Sequence, residues 1–102
     1  MTKHENLIGG KWVSFGNYHD NINPSDTSDV IGSYSYGDAS SVDAAVEAAR
    51  AAQPGWRNAT PQARHDLLDA VGNTIAARKD EIGRPLSREE GKTLAEGIGE
   101  TM

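Results

Sequence analysis

Residues 30–50 read VIGSYSYGDASSVDAAVEAAR, and the spacing of the apolar residues changes within this stretch at Ser40. Before Ser40 the residues alternate between two faces, which predicts a half-buried strand ending at Gly37-Asp38. One face carries Val30, Gly32, Tyr34 and Tyr36, and the other carries Ile31, Ser33 and Ser35. After Ser40 apolar residues recur at helical spacing, which predicts an amphipathic helix: Val42, Ala45, Val46, Ala49 and Ala52. This change divides the chain into strands and turns over residues 1–38 and helices over residues 39–102.

Two further extended regions precede this strand. Gly9-Gly10 lies between the short apolar stretches 7–8 and 11–13, and a glycine pair suits the tight turn of a β-hairpin. Asn21–Ser25 contains Pro24, which disfavours helical backbone before it, so this segment is predicted to enter a turn. The N-terminal region is therefore predicted to be a β-hairpin with additional strands.

Three helices are predicted after residue 38. The first begins with a capping-box pattern at Ser40 and Asp43 and stops at Pro54-Gly55. The second begins at Thr60-Pro61 and continues to about residue 82, where residues 83–85, Gly-Arg-Pro, are predicted to break it. Its apolar row is Leu67, Leu68, Val71, Ile75 and Ile82.

The third helix is predicted to begin at Ser87–Glu90, another capping-box pattern, and to reach Met102 without a cap. No strand is predicted after the helices, so a right-handed βαβ unit cannot close within these residues. We therefore expect an incomplete domain, in which the apolar rows of the first two helices need a sheet supplied by other polypeptide.

The composition excludes several classes of protein. The formal charge is −5, which disfavours a nucleic-acid partner, because phosphate binding needs clustered Lys and Arg. There is no cysteine, hence no disulfide framework and no thiolate metal site. No apolar run is long enough for a signal peptide or a membrane span, so we expect no membrane partner and a cytoplasmic location.

Two glycine motifs suggest phosphate binding, but both are incomplete. Gly91-Lys92-Thr93 lacks the earlier glycine of a phosphate loop, because that position is Leu86. Gly97-Ile98-Gly99 lacks the third glycine of a dinucleotide fingerprint, because that position is Met102. We expect Gly97 and Gly99 instead to let two helices approach closely.

No constellation of catalytic or metal-binding residues is predicted. His65 lies beside Arg64 and Asp66 and is expected on the solvated face of its helix, without a histidine at ligand spacing. Glu89-Glu90 is an adjacent acid pair, whose members point in different directions on a helix and are expected to stabilise a first turn. We therefore assign no catalytic, cofactor-binding or metal site.

Several motifs, in their order and spacing, resemble the N-terminal segment of NAD(P)-dependent aldehyde dehydrogenases. They cover nearly all of the chain: residues 7–13 (LIGGKWV), 22–24 (INP), 42–50 (VDAAVEAAR), 56–57 (WR) and 88–94 (REEGKTL). The sequence at residues 23–26 and 90–94 is most similar to that of the bacterial branch that acts on 2-oxoglutarate semialdehyde. The resemblance implies a Rossmann-like α/β parent fold, of which residues 1–102 would be the N-terminal part of the cofactor-binding domain.

The resemblance also implies where the chemistry lies. The family's cysteine nucleophile, glutamate base and asparagine oxyanion donor lie beyond a member's first hundred residues, as do the groups that hold NAD or NADP. The chain alone is thus expected to bind no cofactor and to be inactive, with the remainder of a homo-oligomeric enzyme as its partner. Some members bind a monovalent cation, and the matching positions here are the carbonyls of Asn21 and Ile22 and the acid Glu89.

Two alternatives remain open. A free-standing small α+β interaction module would bind a partner through the alanine-rich face of the first helix, and should show a completed core and a capped C-terminal helix. An autonomous small enzyme would need a nucleophile or metal constellation, which the sequence does not offer.

Overall fold

The structure, a computed structural model, describes residues 2–102. This part of the chain forms five strands followed by four helices: β1 (Lys3–His4), β2 (Asn6–Ile8), β3 (Lys11–Val13), β4 (Asn17–Ile22), β5 (Val30–Tyr36), α1 (Ala39–Asn58), α2 (Pro61–Ala77), α3 (Lys79–Glu90) and α4 (Leu94–Glu100). The predicted order of strands before helices is confirmed, and the helical region begins at the predicted residue. None of the helices in residues 2–102 is both long enough and apolar enough to cross a bilayer.

The strands form a three-stranded sheet in the order β1-β5-β4 and a separate hairpin of β2 and β3. In the sheet β1 runs parallel to β5, with Lys3 opposite Ser33 and His4 opposite Tyr34. In the hairpin Gly9 and Gly10 have φ angles of 60° and 78°, which only glycine adopts readily. The predicted glycine turn is therefore confirmed.

The alternation predicted for β5 is present, and its two faces differ in cover. Ser33 and Ser35 are buried, and the Ser35 hydroxyl accepts a hydrogen bond from the N–H of Phe15 at 3.1 Å. Tyr34 and Tyr36 are exposed, with His4 stacked on the first ring and His19 on the second at centroid distances of 4.6 and 4.1 Å. The covered face is thus polar, and the aromatic face is open.

Helix α1 corrects the predicted cap and the predicted C-terminal end of the first helix. Its N-cap is Asp38, whose side chain accepts from the N–H of Ser41 at 3.0 Å, so the capping box predicted at Ser40 is wrong. The helix also continues through Pro54 to Asn58. A proline removes a single N–H from the helical ladder, and the alanine-rich turns before it favour continuation.

The boundary between the second and third helices lies earlier than predicted. Helix α2 begins at Pro61 with Thr60 as N-cap, as predicted, but it ends at Ala77, with Arg78 outside regular helical backbone. Residues 83–85 do not break a helix, because they lie inside α3. Gly83 is buried there against α4: a Cβ on it would lie 2.6 Å from the Cα of Ile98. The glycine thus permits a helix–helix contact rather than ending a helix.

The predicted third helix is also wrong in its bounds. Ser87–Glu90 forms the end of α3, so these residues are not an N-terminal capping box. The capping box lies at Thr93 and Glu96, where each side chain binds the backbone N–H of the other. Helix α4 ends with Thr101 as C-cap, whereas the sequence predicts an uncapped end.

The chain divides into two compact units. One comprises the described residues up to Asp20 with Gly32–Ala59, and the other comprises Asn21–Ile31 with Thr60–Met102. Within residues 2–102 no apolar side chain is buried. The largest apolar side chains of α1 and α2 are exposed: Val42, Val46 and Trp56 on α1, and Leu67, Leu68, Val71 and Ile75 on α2. Both predicted apolar rows therefore face solvent at these residues, whereas Ile82, predicted in the second row, lies half-buried in α3.

Candidate functional site

A polar cluster of the second unit is built around residues 23–29, which form a closed turn after β4. Asn23 Oδ1 accepts from the N–H of Ser25 at 2.9 Å, and Asn23 Nδ2 donates to Asp29 Oδ2 at 3.1 Å. The Asn23 N–H donates to the Asp29 carbonyl at 3.0 Å, which closes the loop at its base. The turn predicted from the Asn-Pro pair is confirmed, and its shape is fixed by its own side chains.

Asp29 also binds Arg88 of α3. The guanidinium Nε donates to Oδ2 at 2.8 Å and Nη2 donates to Oδ1 at 2.5 Å. Bonds to the Arg88 guanidinium and then to the Asn23 amide lower the pKa of Asp29 to about 2. The carboxylate is therefore ionised throughout the neutral range and accepts three hydrogen bonds, which suits it to structure rather than to proton transfer.

Gly91 ends α3 in the left-handed conformation, with φ of 73°. Its carbonyl accepts a hydrogen bond from the Ser25 hydroxyl at 2.9 Å. A Cβ on Gly91 would lie 2.6 Å from the Ser25 hydroxyl oxygen. Both the positive φ and the close approach require glycine. The first residue of the 91–93 triplet therefore has a helix-ending role.

Lys92, the second residue of the triplet, is occupied by two carboxylates. Its Nζ forms ion pairs with Glu90 and Glu100, and it is shielded more than either partner. Hydrogen bonds to Glu100 and then to Glu90 raise the pKa of Lys92. The Ser87 hydroxyl donates to the Lys92 carbonyl at 2.6 Å, which fixes the backbone between the helices. The lysine stabilises the α3–α4 turn in this arrangement.

Gly97 is buried at the contact between α3 and α4. A Cβ on it would lie 2.5 Å from the carbonyl oxygen of Gly83 and 3.0 Å from Cβ of Ser87. The prediction that glycines let two helices approach is confirmed for this residue. The same prediction is wrong for Gly99, where an added Cβ would meet no atom within 4 Å.

The nicotinamide dinucleotide that the resemblance implies does not fit either glycine motif. A pyrophosphate binds free backbone N–H groups at a helix N-terminus. The N–H of Gly97 instead donates to the Thr93 carbonyl, and that of Gly91 donates to the Ser87 carbonyl. Neither of these two N–H groups is therefore free to bind a pyrophosphate.

The acid pair lies at the opposite end of a helix from that predicted. Glu89 and Glu90 are exposed and belong to the last turn of α3, so the expected first-turn stabilisation is wrong. Asn21 and Ile22 are the last two residues of β4, just before the turn. Across residues 2–102, no group of three or more His, Cys, Asp or Glu side chains is placed to hold a metal ion. The cation position at Asn21, Ile22 and Glu89 stays a prediction.

His65 lies where the sequence places it. The side chain is exposed on α2, and its Nδ1 lies 3.3 Å from Asp66 Oδ1. The prediction of a solvated histidine is confirmed.

Sequence reasoning missed the residues that organise the second unit. Asp29 and Arg88 are 59 positions apart, and although Arg88 begins the 88–94 motif, nothing in the sequence pairs it with Asp29. Glu100, which pairs with Lys92, follows it by eight positions and lies at the end of α4, whereas Lys92 lies in the turn before that helix. The one available signal was the Thr93–Glu96 spacing, which matches a capping box and marks the start of α4.

Comparison with known proteins establishes the family. The model of the aldehyde dehydrogenase family matches residues 12–102. The chain belongs to the aldehyde dehydrogenase family. The predicted resemblance is thereby confirmed, and the strands followed by helices are those of the N-terminal portion of an aldehyde dehydrogenase.

Curated aldehyde dehydrogenases similar to the chain include two proteins named for the same substrate. Alpha-ketoglutarate semialdehyde dehydrogenase of Haloferax volcanii is 37% identical over 100 residues, which is 96% of this chain and 21% of that protein. Alpha-ketoglutaric semialdehyde dehydrogenase of Bacillus subtilis is 37% identical over 98 residues, covering 94% of this chain and 20% of that protein. The chain thus spans about a fifth of the length of the curated relatives it matches.

Solved aldehyde dehydrogenase structures show the same fold. An NAD-dependent aldehyde dehydrogenase from Sinorhizobium meliloti superposes with a TM-score of 0.92 at 31% identity, covering 98% of this chain and 21% of that one. A mutant of the 1-pyrroline-5-carboxylate dehydrogenase from Thermus thermophilus superposes with a TM-score of 0.93 at 29% identity, covering 98% of this chain and 19% of that one. The fold class predicted from the sequence is confirmed, with four helices in residues 2–102 where three are predicted.

Proposed function

We propose that this chain is the N-terminal part of the cofactor-binding domain of an aldehyde dehydrogenase, an enzyme that oxidises an aldehyde to a carboxylic acid with NAD or NADP. Its role there is structural. The observation that carries the proposal is that the apolar rows of α1 and α2 face solvent in a backbone that superposes on an aldehyde dehydrogenase with a TM-score of 0.92. In the whole enzyme we expect these rows to be covered by a parallel sheet formed by further polypeptide.

The 102-residue chain alone is proposed to be inactive. The family's nucleophile is a cysteine, and this chain contains none. The carboxylate of Asp29 and the ammonium of Lys92 are both held in ion pairs, which supports a structural use of the charged residues. Purified chain is therefore expected to produce no aldehyde-dependent NADH or NADPH.

The substrate of the whole enzyme is proposed to be a semialdehyde that also carries a carboxylate. The names of the relatives from Haloferax volcanii and Bacillus subtilis, and of the 2-aminomuconic semialdehyde dehydrogenase from Bos taurus at 37% identity, support this class. A cytoplasmic location, a homo-oligomeric assembly and the choice between NAD and NADP belong to the same proposal.

A chimera tests the structural role. We would replace the matching first fifth of the Bacillus subtilis enzyme with this chain and measure aldehyde-dependent reduction of NAD and NADP. The chimera is expected to be soluble and active. A chimera carrying Leu68→Asp and Val71→Asp is expected to lose soluble expression and activity, because each carboxylate would lie on the row that packs against the sheet.

The matched control is Gln62→Asp combined with Asn73→Asp, which introduces the same two negative charges at exposed polar positions of α2 and removes only exposed hydrogen bonds to Asp66 and Asp69. This variant is expected to behave like the unmodified chimera. Activity of the 102-residue chain alone, or a fully active chimera with both row substitutions, would contradict the proposal.

A second candidate, the free-standing interaction module, gains one supporting observation. Helix α4 is capped at both ends, by the Thr93–Glu96 box and by Thr101, as such a module requires. A completed core is its other requirement, and the described residues bury no apolar side chain. Monomeric chain that unfolds cooperatively with several kcal/mol of stability would favour the module over the enzyme fragment.

A further inference from the structure

We draw no further inference here: the strongest candidate, the exposed apolar face of α2 formed by Leu67, Leu68, Val71 and Ile75, carries none because nothing in the structure shows what covers it.

Discussion

Arg88 and Asp29, which are 59 positions apart in the sequence, form a bidentate ion pair. Two N–H groups of the guanidinium donate to the two oxygens of the carboxylate. Such parallel bonds fix orientation as well as distance, which a single lysine bond does not. The pair lies within the second unit and holds the base of the 23–29 turn on α3. It also sets the titration of Asp29, which makes the contact measurable.

The first prediction concerns the pKa of Asp29. In the folded second unit this carboxyl titrates near pH 2, below the ordinary value of 3.8, because Arg88 and Asn23 donate to the ionised form. A lowered folded pKa gives stability that is present above about pH 4 and is lost as the pH falls through about 2. Carbon-detected NMR titration of the Asp29 carboxyl, in an osmolyte that favours the folded state, checks the value.

The substitution Arg88→Gln removes the main cause of the shift, so the Asp29 midpoint is expected to move back towards 3.8. Arg78→Gln is the matched control, because Arg78 pairs with Glu81 and should leave Asp29 unchanged. A wild-type midpoint equal to that of Arg88→Gln would show that the ion pair does not form in solution.

Local patterns predicted the parts of the fold that local forces decide. The glycine turn at Gly9-Gly10, the alternation in β5 and the Thr60 cap depend on neighbouring residues, and each is present. The helix boundary predicted at Gly83 failed because that residue responds to a distant contact with Ile98. Glycine at a helix end and glycine at a helix crossing look alike in a sequence.

The polar cluster of the second unit could not be predicted for a related reason. Asp29, Arg88 and Glu100 are ordinary surface residue types, and their partners are defined by the packing of α3 with its neighbours. Only the glycines and the capping pairs leave a local signal. The sequence motifs were sufficient to predict the family, whereas the side-chain contacts could be identified only from the folded structure.

The second prediction concerns the crossing of α3 and α4. Gly97→Ala places a methyl group 2.5 Å from the Gly83 carbonyl oxygen, inside the contact distance, and neither backbone can move easily. Overpacking of this kind typically costs about 1–3 kcal/mol in the free energy of unfolding. Urea unfolding followed by helical circular dichroism, in an osmolyte that favours the folded state, measures the loss.

Gly99→Ala is the matched control for this crossing. Its Cβ meets nothing within 4 Å, and alanine has the higher helix propensity, so stability is expected to rise by up to about 1 kcal/mol. Equal effects of the two substitutions would contradict a close crossing at Gly97.

The third prediction separates the observed cap of α1 from the one that the sequence suggested. Asp38 accepts from the N–H of Ser41, so Asp38→Ala is expected to increase amide hydrogen exchange at Ser41 and in the following turn. The Ser40 hydroxyl donates to Asp38 and accepts from no helical N–H, so Ser40→Ala should change exchange much less. Greater loss of protection in Ser40→Ala would restore the predicted capping box.

The fourth prediction concerns the stability of the isolated chain. Folding of a domain is driven mainly by burial of apolar surface, and no apolar side chain in residues 2–102 is buried. We expect a free energy of unfolding below about 2 kcal/mol, against about 5–15 kcal/mol for typical domains. Urea titration should give a broad, shallow transition, and a steep transition would show that the chain is self-sufficient.

The fifth prediction concerns the apolar row of α2. Leu68 and Val71 are 61% and 47% exposed, so replacing both with serine removes apolar surface from solvent contact without leaving a cavity. In the osmolyte solution the double variant should keep the helicity of the wild type and bind less of the apolar dye ANS. Gln62→Ser, at an exposed polar position of the same helix, should change neither signal. A large loss of helicity in Leu68→Ser/Val71→Ser would mean that the row is covered within the chain, as burial of two such side chains would require.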